Sequence, residues 1–261
     1  MSTTTSLTSD IAFRTYLLRL ADDRLILGQR ISEWCGHGPE LEEDLALANI
    51  ALDLIGHSSA LYEYANQFDE RGDLTPDHFV YFRDDPEFTN LQLCELPRGD
   101  YAFTTARLFL FSSFSFFLYR NLQSIEDEQF RGMIQKHLKE VKYHLRHSRD
   151  WVIKLGDGTD ISHQKIQEAL NELWMYIGEL FYADEVDQLM VYSGNGTDTS
   201  VFHGEWKQLV EQTLTEATLE IPDWDQFMIS GSRKGIHSEH LGHLLAQMQF
   251  LRRSHQDADW Q

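Results

Sequence analysis

Asp53 with His57 and Glu140 with His144 are acid–histidine pairs, each four residues apart. Each lies among apolar neighbours: Ile50, Leu54 and Ala60 for the first, Leu138, Val141 and Leu145 for the second. On a helix that spacing puts both side chains on one face, so all four groups can point into a bundle. Carboxylates and imidazoles brought together there either ligate a metal or form a buried hydrogen-bonded cluster. A four-helix bundle that holds two irons takes a glutamate from each of two helices and a Glu-x-x-His pair from each of the other two. The residues three positions before the histidines are Leu54 and Val141, and neither can ligate iron. No Asp or Glu occurs between Asp100 and Glu126, a span that reads as a complete helix. Asp22, Asp23 and Glu33 on the first helix cannot replace the missing donors. The pattern points to a degenerate site, a polar cluster without metal. An unpaired buried charge is costly, so Arg24, Arg107 and Lys142 are the candidates to balance the acids by ion pairs where metals would otherwise sit.

Helical periodicity supplies the elements that carry these groups. Apolar residues recur at helical intervals from about Asp10 to Trp34, and Gly36-His-Gly-Pro39 ends that helix. A second helix runs from Glu40 to about Phe68, its acidic start complementing the positive end of the dipole. Asp69 to Gly99 reads as loop with short pieces. Helices follow from Asp100 to about Gln123, from Asp127 to Leu155, from Ser162 to around Asp187 and from Phe202 to Leu219. After a loop from Pro222 to Lys234, a last helix covers Ile236 to about Arg253. The very short connection near residue 125 makes its flanking helices antiparallel neighbours. The expected fold is all-α over residues 1–261 as one domain: a four-helix bundle core with additional C-terminal helices, and residues 1–9 disordered.

The balance of charge narrows the partners. Lys plus Arg total 22 against 42 Asp plus Glu, a formal net charge of −20. So acidic a chain repels phosphate backbones and anionic lipid, which argues against nucleic acid and membrane. No run reaches the roughly 18 uninterrupted apolar residues of a membrane span. Cys35 and Cys94 lack the spacing of a metal site and read as free thiols. The N-terminal residues lack a basic region followed by an apolar run, so the expected location is the cytoplasm.

Four blocks, Ser32–Gly56, Tyr143–Arg149, Leu155–Asp160 and Lys234–Gly242, resemble the PaaC family, one of the subunit families of bacterial phenylacetyl-CoA epoxidases. They run from the first helix to the last. The resemblance implies a ferritin-like, non-catalytic structural subunit of a multicomponent monooxygenase that epoxidises the aromatic ring of phenylacetyl-CoA in aerobic phenylacetate catabolism. It implies pairing with a catalytic sister subunit that holds the di-iron centre, electrons from a reductase subunit, and no cofactor on this chain. Two other functions stay open from the residues alone: an autonomous di-iron oxygenase with degenerate ligands, and a metal-free bundle that binds an acyl-CoA.

Two further features bear on partners. Ser230–Gly235 is a glycine-rich basic turn, and Arg233, Lys234 and Gly235 could contact CoA phosphates or an acidic patch on the catalytic sister. The histidines that follow, His237, His240 and His243, suit helix capping or an interface better than a metal. The helix at 101–119 carries Phe103, Phe109, Phe111, Phe114, Phe116 and Phe117, too many large apolar groups for one face. Part of it, or of the helix at 40–68, is expected in a subunit interface.

Overall fold

The structure, a computed structural model, describes residues 9–69, 74–256 and 258. Residues 1–8, which carry most of the expected disordered segment, lie outside the described residues. The described residues form α-helices and short 3-10 turns with no strand, the architecture of an all-α ferritin-like bundle. Helix α1 (Ser9–Ser32) and α2 (Leu41–Asn66) make one antiparallel hairpin; α5 (Tyr101–Asn121) and α6 (Glu128–Gly156) make the other. Between the hairpins run two short helices, α3 (Pro76–Tyr81) and α4 (Gln92–Glu95). After them come α7 (Asp160–Leu173), α8 (Glu185–Tyr192), α9 (Ser200–Glu216) and α10 (Glu239–Ser254).

Local chemistry sets the boundaries. Asp100 caps α5 by accepting from the Phe103 N–H at 3.0 Å, and Asp127 caps α6 by accepting from the Phe130 N–H at 2.7 Å. The second Asp127 oxygen accepts from the Tyr64 hydroxyl at 2.7 Å, which joins the start of α6 to the end of α2. Gly28 lets α1 and α2 approach: a Cβ there would sit 3.0 Å from Cγ1 of Ile55. The helix expected over 162–187 is three pieces. α7 gives way to a 3-10 segment at Trp174–Phe181, and a new start follows at Asp184, whose side chain caps α8 through Val186 N–H. The break serves an ion pair: Arg19 of α1 donates to both oxygens of Asp184, at 2.9 and 2.6 Å, and to Asp187 at 3.1 Å.

α5 is the core helix. Phe109, Phe111, Phe114 and Phe117 are all 5% exposed or less. The helices added behind the bundle cover them: Phe114 meets Phe181 edge-on, and Phe117 stacks on Phe202 of α9. The chain itself thus covers most of the apolar surplus of α5. α2 differs, exposing Leu41, Leu45 and Leu52 at 71, 56 and 67%. By length and composition both α2 and α5 would pass for membrane-crossing helices. The apolar window of α5 is 89% buried inside the fold, as a core helix of an all-α protein must be.

Candidate functional site

α2 and α6 lie side by side, and their acid–histidine pairs meet crosswise. His57 Nε2 lies 2.5 Å from Glu140 Oε2, and His144 Nε2 lies 3.0 Å from Asp53 Oδ2. Toward the start of α2, His147 Nε2 lies 3.3 Å from Glu43, whose carboxylate also accepts from the Tyr101 hydroxyl. Each acid thus reaches the histidine of the opposite helix, giving a ladder of three links between α2 and α6. Leu54 and Val141 point into the core at 2 and 3% exposure.

His137, one turn before Glu140, completes the site. Its ring stacks on His57 with centroids 3.8 Å apart and planes 22° apart. It is absent from the candidates drawn from the sequence, although positions 137, 140 and 144 share one helix face and that spacing marks it. Nδ1 of His57 is buried without a partner, so a proton there would be a stranded donor. The proton belongs on Nε2, which donates to Glu140. Burial holds the His57 imidazole well below its usual range, and the neighbouring His137 and Arg24 push it further. Burial first, then Arg24, lowers His137 to about 4. Glu140 moves upward through burial and the nearby Asp53 carboxylate. What the arrangement does is fasten two helices together.

The expected balancing charges lie elsewhere. Arg107 is buried and donates to the carbonyls of Leu96 and Pro97, at 2.5 and 3.3 Å. Lys142 is exposed on the outer side of α6. Arg24 is 2% exposed; it donates to Leu20 O at 2.8 Å, and its guanidinium sits 4.6 Å above the Tyr119 ring. It lies close enough to the histidines to repel their protons but makes no ion pair with Asp53 or Glu140. Histidines, not arginine or lysine, meet the two acids. Replacing Arg24 with methionine should raise the His137 titration midpoint, because a positive neighbour is removed; ring-proton NMR shifts against pH would show it, and an unmoved midpoint would dissociate Arg24 from the site.

The buried acids of α1, Asp22 and Asp23, are also committed. Asp22, fully buried, accepts from Arg83, Tyr62 and Thr89. Asp23 accepts from Leu91 N–H and from both terminal nitrogens of Arg233, at 3.0 and 2.9 Å. This corrects the reading of the basic turn. Arg233 faces inward, where it also donates to Thr89 O at 2.6 Å, and so does not offer its charge to a phosphate in solvent. Gly235 adopts φ 74°, and a Cβ there would fall 2.3 Å from Pro86 O, so it serves close packing. Lys234 alone of the three faces outward. His237 is drawn in too: Nδ1 lies 2.8 Å from Glu95 Oε2, and Nε2 lies 2.8 Å from Phe88 O. The buried Glu95 raises its pKa against the opposing effect of burial.

Among the described residues no group of three or more His, Cys, Asp or Glu is arranged to hold a metal ion. The model of a family described as phenylacetic acid catabolic protein matches residues 2–260. The chain is also 43% identical over 245 residues to the Escherichia coli K12 protein named as the C subunit of 1,2-phenylacetyl-CoA epoxidase. That match covers 94% of this chain and 98% of the relative. On the strength of a match over nearly its whole length, the chain belongs to the phenylacetic acid catabolic protein family.

Proposed function

We propose that this chain is a non-catalytic structural subunit of a complex that epoxidises the ring of phenylacetyl-CoA in the cytoplasm. It pairs with and supports a ferritin-like catalytic sister, which holds the di-iron centre, while a reductase subunit supplies electrons. One observation carries this: where a di-iron bundle presents open carboxylates to metal, this chain ties its acids to histidines across α2 and α6. The residues present do not fit two irons. Leu54 and Val141 stand at the glutamate positions, α5 offers no acid, both Nε2 atoms are engaged, and the Arg24 cation shares the interior. The likeness to a named phenylacetyl-CoA epoxidase subunit supports the substrate and the sister.

The test is elemental analysis of the full chain made in iron-rich medium, by itself and together with the catalytic sister. The expected result is negligible iron and no oxygenase activity from the chain by itself, with iron and ring epoxidation appearing only in the pair and tracking the sister. A stoichiometric di-iron complement on the isolated chain would overturn the proposal and restore the autonomous oxygenase.

A further inference from the structure

α6 carries seven of the chain's 22 basic residues in a single helix. Lys136, Lys139, Lys142 and Arg146 share its outer face, all exposed. None makes an ion pair among the described residues, although acids outnumber bases 42 to 22 in the chain as a whole. In a protein so rich in carboxylates, a row of exposed cations outside any salt bridge is an exception that folding does not explain; only Lys136 acts on a nearby acid, Glu140. Tyr143 lies in the same row, with the Arg146 guanidinium 5.7 Å from its ring centroid.

Beside that row, α2 exposes Leu41, Leu45 and Leu52, one apolar stripe of large side chains on a single helix. Gly56 continues the stripe with open space where a Cβ would stand. Solvent gains nothing from such a stripe, whereas a partner helix can approach it closely. The crosswise links His57–Glu140 and His144–Asp53 hold α2 and α6 together, so leucine stripe and lysine row form one plate of fixed spacing. Asp53 and Glu140, with side chains 32 and 36% exposed, lie in the groove between them.

We infer that the α2–α6 face docks the catalytic sister, through a helical surface that sets an apolar row against Leu41, Leu45 and Leu52 and carboxylates against Lys139, Lys142 and Arg146. The inference rests on the functional proposal above and names the surface that serves it. Charge selects the occupant. A second copy of this chain would place α6 on α6, lysine against lysine, or α6 on α2, lysine against leucine. Neither arrangement supplies a row of acids, because Glu42 and Glu63 near its two ends are the only fully exposed acids of α2, and Asp53 and Glu140 are tied to histidines. A different protein with an acidic helix flank satisfies both rows at once.

The test measures the affinity of the purified full chain for the catalytic sister in low and high salt, for wild type, Lys139→Glu/Lys142→Glu, Leu45→Ser/Leu52→Ser and a charge-matched control, Lys165→Glu/Lys234→Glu. All substituted positions are exposed or partly exposed, and unchanged thermal melts verify the fold. Reversal of the row is expected to weaken binding on the order of 100-fold at low salt, with the deficit shrinking as salt screens the charges. The leucine pair is expected to weaken it about tenfold at either salt, and the control to stay within a factor of about 3. If wild type binds the sister and the row and leucine variants bind equally well, the α2–α6 face is not the interface and the inference fails while the function stands. Loss in the control instead would place the contact at Lys165 of α7 or at Lys234 of the basic turn and overturn the inference as well. Failure of wild type to bind the sister would remove the functional proposal and the inference with it. Sedimentation of the chain by itself adds a last outcome: a wild-type homodimer that the row variant abolishes would give the face to a second copy and overturn the assignment.

Discussion

Asp22→Ala should be the most damaging single substitution in the bundle, lowering stability by about 3–5 kcal/mol. Asp22 is fully buried and accepts from Arg83 at 2.5 and 3.1 Å, from the Tyr62 hydroxyl at 2.5 Å, and from the backbone and side chain of Thr89 at 2.9 and 3.0 Å. Truncating it strands a guanidinium that lies 4.1 Å from the Phe88 ring centroid, 8% exposed and without another carboxylate among the described residues. For a chain of this size such a loss lowers the melting temperature by roughly 10 °C. The double variant Asp22→Ala/Arg83→Met should recover much of it, because an apolar pair of similar volume removes the stranded charge. Chemical denaturation of both single variants and the double gives the coupling energy. A loss under about 1 kcal/mol for Asp22→Ala would mean that water reaches Arg83.

The second large effect is on acidification. His137 has an ordinary pKa of 6.5 and is lowered to about 4 in the folded chain, chiefly by burial. Between those values the unfolded chain binds a proton that the folded chain refuses. Stability is therefore fully present above pH 6.5 and falls as the pH drops toward 4, by up to about 1.4 kcal/mol per pH unit for each such histidine. His57 acts in the same direction. Glu140, raised by burial and by Asp53, works the other way, but its partial exposure makes that the smaller contribution. His237 is raised and so is protonated in both states through this window; its contribution is lost only as pH rises above the ordinary histidine range. Urea midpoints at about pH 7 and pH 5 should fall clearly toward acid. His137→Phe, which keeps a ring to stack on His57, should flatten the slope. Equal wild-type midpoints at the two pH values would show that the histidines charge freely in place.

Much of this is legible in the residues, and where it is not the reason is physical. The four-residue spacings of Asp53/His57 and Glu140/His144 place the right side chains on the right faces. Periodicity fixes a face but not the register between helices, so the crosswise pairing is visible only in the fold. His137 carries the same face signal as Glu140 and His144, but no acid stands four residues from it to mark it as a pair. A glycine-rich Arg-Lys segment looks solvated, while the acid that captures Arg233 lies 210 residues earlier. The break before α8 has the same origin: Asp184 continues a helical pattern locally, and its capture by Arg19 crosses 165 residues. The apolar surplus of α5 is plain in the sequence, but only the fold shows that α7, α9 and their connections cover it.

The Asp23–Arg233 pair has a consequence for how the protein is made. α1 leaves the ribosome ahead of the elements it packs against, carrying a carboxylate that the finished molecule buries, and its partner follows 210 residues later. At roughly 5–20 residues per second, that interval lasts on the order of 10–40 s. Until it ends, α1 cannot take its final place without stranding a charge, so a helix made early is among the last to be secured. Nascent chains halted before residue 233 should remain open to protease along α1, and those that have released it should close.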